Sequence, residues 1–265
     1  MPAETNHPVF AQPSDPSVPV WRFMDVAKFA HLLLTSSLFF VRADLLGDPF
    51  EGTLPRGTRE QMEGWLRQVY ASGGHTPERI EQIIHGGPDF PGPGMLEDIK
   101  QMYKLQREWV YISCWHANPH ESAAMWRLYT QTQDAVAIRS TYERLARCLS
   151  NDALIGLVHY VDFEQMTIAL TNAFLPLVFK RKSFEHEREV RAVIAEYPKE
   201  NGRLVYRPNT KPGRPIHVDL AALIEAVYVA PLARDWFLEL VQLMCGNAGL
   251  AVDVRRSSLD SKAVW

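Results

Sequence analysis

The chain has few cysteines, no long apolar run and no glycine-rich phosphate motif, and each lack argues against a class of function. Cys114, Cys148 and Cys245 are odd in number and far apart in 265 residues. No Cys-x-x-Cys occurs, so neither a disulfide framework nor a structural zinc site is expected, and a reducing cytoplasm fits. No apolar stretch reaches the roughly 18 residues that a membrane helix needs. The amino terminus shows no basic start followed by an apolar run. A cytoplasmic chain without a membrane partner is therefore expected. A net charge of -3 provides no global basic field for nucleic acid, although a local patch is allowed. Gly86-Gly87 and Gly92-Pro93-Gly94 sit among prolines and follow no strand pattern, so they read as turns rather than phosphate cradles. Rossmann and P-loop chemistry are disfavoured.

What is present is ordinary for a globular protein: 46% apolar and 22% charged residues. Residues 1–19 hold five prolines and read as a flexible arm. A single domain is expected from 20 to 265. It opens on a short strand at Val20-Trp21-Arg22-Phe23, then a helix capped by Asp25. Helical patterns over 58–71, 77–85 and 95–108 predict a helical insertion spanning 55–108. Val110–Trp115, Ala135–Ile138 and Gly156–Val161 read as strands, and helices are expected around 121–129 and 141–149. Met166, Ala169, Leu170, Ala173, Phe174 and Leu177 form an apolar stripe at helical spacing. Strand patterns at 204–206, 216–218, 226–230 and 250–254 surround a last helix with Phe237, Val241 and Cys245 on one face. Strands and helices do not alternate strictly, so an α+β fold around a strongly bent sheet is expected.

The most informative stretch is Glu185–Ile194. With period two, Val190, Ala192 and Ile194 fall on one face, and Glu187, Glu189, Arg191 and Val193 on the other. Two like charges about 7 Å apart along a strand are costly unless something compensates them. Glu-x-Glu on a strand suits an enzyme that must face a cationic transition state or a metal. An exposed edge strand with Arg191 as counter-charge is the structural alternative. A metal reading of His116, His120 and Glu121 is weak, because Pro119 breaks the helical spacing that such ligands need. Asp48, Glu51, Glu187, Glu189 and Lys182 resemble the acidic set of a metal-dependent nuclease. The usual acidic-x-Lys element is here Glu189-Val190-Arg191, and Arg replaces Lys poorly there. No nucleophile stands out, and Lys180-Arg181-Lys182 reads as a solvated helix end.

Separated segments resemble one bacterial family, domain of unknown function 2971. They are Trp21-Arg22-Phe23, Asp48-Pro49-Phe50-Glu51-Gly52, Ile112-Ser113-Cys114-Trp115, Met125-Trp126-Arg127-Leu128-Tyr129, Tyr160, Lys182 to Arg191, Val227–Pro231 and Ser257-Ser258-Leu259. More distantly, Arg22, Ser113 and Glu187-x-Glu189 resemble, in that order, the motifs of ADP-ribosyltransferase-type domains. That resemblance implies a split, strongly twisted mixed sheet and NAD as substrate, with no metal. ADP-ribose would pass to a protein or nucleic-acid acceptor, and a toxin or phage-defence effector is the implied biology. It implies Glu189 and Glu187 as catalytic carboxylates, with Arg22, Ser113, Trp115, Asp48 and Arg191 around the dinucleotide. Glu189 would stabilise the ribosyl cation and Glu187 would assist the acceptor. A nucleotide-binding module without turnover is the alternative, and the nuclease a second one.

Overall fold

The computed structural model describes residues 2–261 except 88, 89, 131, 170 and 171. The chain begins with β1 (Pro19–Asp25), α1 (Val26–Thr35) and β2 (Ser37–Arg42). The helical insertion follows as α2 (Arg56–Ser72), α3 (Pro77–His85) and α4 (Met95–Glu108). Then come β3 (Val110–Ala117), α5 (Ala123–Tyr129), β4 (Ala135–Thr141), α6 (Tyr142–Cys148), β5 (Ala153–Leu157) and β6 (His159–Val161). After α7 (Leu175–Val178) and β7 (Phe179–Arg181) the chain makes a 3-10 turn over Lys182–Glu187 and enters β8 (Glu189–Ala195). It ends with the short β9 (Lys199–Glu200) and β10 (Arg203–Leu204), then β11 (Gly213–His217), α8 (Leu220–Leu223), β12 (Ala226–Val229), α9 (Asp235–Asn247) and β13 (Asp253–Arg256).

Among the described residues nine strands form one mixed, largely antiparallel sheet in an α+β fold. Its core follows from strand alternation. Val20, Met24, Trp115, Ile138, Val190, Ala192 and Val227 point to one face, where they meet Phe29 of α1, Leu145 of α6 and Phe237 and Val241 of α9. Burying each large apolar side chain contributes about 1.5–3 kcal/mol. The other face has two smaller clusters. Trp21, Phe23, Ala137 and Tyr228 pack on Met125 and Trp126 of α5. Ile112 and Val193 pack on Leu177 and Val178 of α7. The insertion holds itself together with Leu66, Ile80 and Ile84.

The sheet is forked at β3. One edge of β3 pairs with β8 from Val110↔Ala195 to His116↔Glu189. The other edge is divided between two strands. β2 takes its beginning, at Arg42↔Tyr111 and Val41↔Ile112. β1 takes its end, at Trp21↔His116 and Val20↔Ala117. Ser113, Cys114 and Trp115 lie between the two pairings, where β1 and β2 diverge.

Three expectations are corrected. The expected arm, described from residue 2, packs along β5: Glu4 N donates to Ala153 O at 2.8 Å and Leu157 N to Ala11 O at 2.8 Å. Among the described residues β5 pairs only with β8 in the sheet, and the arm covers its other edge. Phe10 anchors it at 2% exposure. A Cβ at Gly156 would come within 2.8 Å of Phe10 Cβ and Ala11 O, so glycine permits the approach. Secondly, among the described residues of the stripe from Met166 to Leu177, helix is present only within Leu175–Val178. Pro176 fits the first turn of a helix and not its interior. Nearby, Phe163 is buried edge-on to Phe50 and Ile168 is buried with its N donating to Thr58 Oγ1 at 2.7 Å; Leu170 lies outside the described residues. Thirdly, Glu187 is not on a strand. Arg188 adopts φ 42, ψ 54, and that left-handed residue breaks the period between Glu187 and β8.

Candidate functional site

A cleft of about 650 Å³ opens at the fork. Five of the seven residues proposed from sequence line it: Arg22, Asp48, Trp115, Glu187 and Glu189. Ser113 and Arg191 stand directly behind the lining. These seven do not share one sheet face. The register puts Trp21 with His116 and His116 with Glu189, so Glu189 projects from the face of Trp21. Arg22, next along β1, projects from the opposite face, with Ser113 and Trp115. Both groups reach one cleft because the missing pairing at the fork opens it to both faces.

On the first face, Arg22 spans the fork. Its Nη2 donates to Phe39 O of β2 at 2.9 Å and its Nη1 to Ser113 Oγ of β3 at 2.9 Å. Trp115 Nε1 also donates to Ser113 Oγ, at 3.1 Å. Arg22 lies 5.8 Å from the centre of the Trp115 ring. Trp115 itself is 2% exposed, a wall of the cleft rather than an open stacking platform. Among the described residues no carboxylate lies within ion-pair distance of Arg22, and burial pulls its pKa down. Lys28 and His31 of α1 line the same end.

On the second face, three carboxylates enclose two cations. Lys180 Nζ lies 2.9 Å from Glu51, 2.5 Å from Glu187 and 3.2 Å from Glu189. The three N–H bonds of one ammonium thus meet three carboxylates. Arg191 Nε and Nη2 grip both oxygens of Glu189, at 2.7 and 3.0 Å, and Nη2 also reaches Glu51 at 2.9 Å. Arg191 Nη1 donates to Leu177 O at 2.6 Å. Burial pushes the Glu189 carboxyl up, but Arg191 and Lys180 outweigh it and hold its pKa at about 2. Burial likewise opposes the charges of Lys180 and Arg191, and the surrounding glutamates more than restore them. An exposed edge strand is thereby ruled out, since Glu189 is 3% and Arg191 0% exposed.

Local backbone explains this gathering. β6 and β7 pair in parallel, setting Tyr160 beside Lys180. Tyr160 Oη accepts from Glu189 N at 2.7 Å and fixes the start of β8. His116 Nδ1 donates to Glu187 O at 2.5 Å and holds the turn before it. Burial lowers the pKa of His116, so it is a neutral strut rather than a ligand. Asp48 is bidentate with Arg181 at 2.8 and 3.0 Å and also caps Phe50 N at 3.0 Å, which is the Asx turn. Cys114 lines the cleft beside Glu189; burial drives its thiol pKa well up, so it is no thiolate nucleophile.

Sequence reasoning missed Lys180, the hub of the cluster. Its signal was parity. In β7, Lys180 is buried while Arg181 is half-buried, the alternation of a strand and not of a solvated helix end. Every oxygen of Glu51 and Glu189 is engaged by Lys180 or Arg191, whereas Glu187 is held through Oε2 alone. A divalent cation at the Glu51 or Glu189 oxygens would have to displace Lys180 or Arg191. Among the described residues no helix is long and apolar enough to cross a membrane. No family model, no curated protein and no solved structure matches this chain.

Proposed function

We propose that this chain binds NAD in the forked cleft and cleaves it, passing ADP-ribose to a protein or nucleic-acid acceptor, as an ADP-ribosyltransferase-type enzyme. The observation that carries this reading is the charge layout of one cleft of about 650 Å³, lined both by the Arg22 guanidinium, which has no carboxylate partner among the described residues, and by Glu187 and Glu189. That volume lies in the range of small-molecule sites, about 300–1,000 Å³. Arg22 takes a diphosphate oxygen, to which a guanidinium is suited. Beside Glu187 and Glu189 the C1′–N bond of the nicotinamide ribose breaks, and its electron pair goes to the ring nitrogen. Nicotinamide leaves neutral. The ribose carbon bonds to the acceptor, which gives up a proton. Glu189, ionised from a pKa of about 2 upward, supplies fixed negative charge to the ribosyl cation. Once nicotinamide has left, Glu187 Oε1, which has no partner among the described residues, receives the acceptor's proton.

The clamp of Arg191 on both Glu189 oxygens favours one second reading, a nucleotide-binding module without turnover. Incubation with NAD, with release of nicotinamide as the readout, separates the two. Glu189→Gln is expected to lower release by about two to three orders of magnitude, the effect of losing one preorganised electrostatic contact. Glu187→Gln is expected to slow transfer more than hydrolysis. Saturable NAD binding with no nicotinamide released would establish the module instead.

A further inference from the structure

Resting on that reading, we infer that the Glu187 end of the cleft is an organic-cation subsite, which holds a positively charged pyridinium ring and rejects the neutral ring. Glu51, Glu187 and Glu189 face only Lys180 and Arg191, so the cluster has a formal charge of -1. Among the described residues neither Arg188 and His186 on the same turn nor Arg22 and Lys28 in the cleft lining forms an ion pair with these carboxylates. Asp48 is matched by Arg181, and His116 and the Cys114 thiol stay neutral. Burial, with Glu187 nearby, raises the pKa of Tyr129, and burial raises that of Tyr160, so both phenols keep their protons. A cation in the cleft would balance this excess charge.

The uncompensated atom is identifiable. Glu187 has a side-chain exposure of 9%, and its Oε2 is taken by Lys180. Among the described residues its Oε1 has no partner, and Glu187 lines the cleft. Aromatic side chains lie at the same end. Tyr129 and Phe184 line the cleft, and Phe184 lies 5.0 Å from Lys180 Nζ. A flat ring with delocalised positive charge satisfies both features, an anionic oxygen at its edge and aromatic surface beside it. The same cleft also offers Arg22, so the complete ligand has an anionic part for Arg22 and a cationic part for Glu187.

This subsite would act on product as well as substrate. The oxidised dinucleotide has the pyridinium charge and is held. Cleavage sends the bonding pair to the ring nitrogen, the charge disappears, and the attraction goes with it. Nicotinamide then leaves easily and inhibits weakly, and the reduced dinucleotide, already neutral at the ring, binds poorly.

Calorimetric titration of the wild-type protein with 1-methylnicotinamide and with nicotinamide tests the inference with no phosphate or sugar contacts involved. The cation is expected to bind about tenfold tighter or more, a ratio that about 1.4 kcal/mol of ion pairing gives. In Glu187→Gln, checked for unchanged far-ultraviolet circular dichroism, the two should bind alike. Equal affinities in the wild type, or no binding of the cation, would overturn the inference, and the wild-type comparison stands even where the variant does not fold. Displacement of the cation by magnesium, lost in Glu187→Gln, would also overturn it and make the place a metal site. Cation binding without any NAD cleavage would leave the subsite standing and remove only the enzymatic reading.

Discussion

Lys180 decides the energetics of the site. Burying ions pays only when every partner is in place. Here one ammonium serves three carboxylates, and one guanidinium serves two. Lys180→Met should leave three buried carboxylates with Arg191 alone and destabilise the protein by about 3–5 kcal/mol, read from urea unfolding. The same cluster sets the acid response. The pKa of Glu189 is lowered from 4.5 to about 2 in the folded protein, so its stabilising contribution is fully present above 4.5. It is lost as pH falls from there toward 2, because the unfolded chain takes up the proton first. Unfolding free energy followed from pH 6 downward should therefore drop across that window. Glu189→Gln should have a lower plateau at pH 6 and a shallower acid slope. An identical slope in the variant would place the acid response elsewhere.

At the scale of elements, local chemistry was legible and departures from it were not. The helical insertion follows its pattern closely, with α3 and α4 at 77–85 and 95–108. Asp25 caps α1 through Lys28 N at 2.8 Å, as its position implies. The alternation of Val190, Ala192 and Ile194 correctly gives one buried face of β8. Period alone could not show that the polar face is also buried, because Lys180 comes from the preceding strand β7 and Glu51 from a distant turn. Nor could it show the left-handed Arg188, since arginine gives no sign of positive φ. Asn201-Gly202 did give one. Both have positive φ between β9 and β10, the turn that Asn-Gly favours in a tight hairpin, and that signal was passed over. Arg188 supplies a test of the pivot. Arg188→Gly should leave stability unchanged or slightly raised, because glycine adopts φ 42 freely. Arg188→Val, β-branched at positive φ, should cost about 1–2 kcal/mol in thermal or urea unfolding. Were both variants equally destabilised, the Arg188 side chain rather than its backbone would be what matters.

For the whole molecule, the fork makes one cleft out of two sheet faces. Sequence order could gather Arg22, Ser113 and Glu189, but not show that they approach from opposite sides, which only the pairing register of β3 determines. Arg22 joins β1, β2 and β3 by two hydrogen bonds, and Glu187 belongs to a cluster with none of the same partners. The two halves should then be energetically separate in the empty protein. Arg22→Met leaves Phe39 O without its side-chain donor and Ser113 Oγ with Trp115 Nε1 alone, a loss of about 1–3 kcal/mol. Glu187→Gln removes an ion pair to Lys180 from a cluster with excess negative charge, so its effect should be smaller. In the double variant the two changes should add to within about 0.5 kcal/mol, as for sites without shared contacts. Binding should behave differently from stability, since one extended ligand needs both ends. Each single change should weaken NAD, but only Glu187→Gln should weaken 1-methylnicotinamide, which has no phosphate for Arg22. Urea unfolding of the four proteins and titrations with the two ligands complete the cycle. A coupling in stability well above 0.5 kcal/mol would mean that the halves touch through the fork, and the two-faced cleft would have to be redrawn as a single packed site.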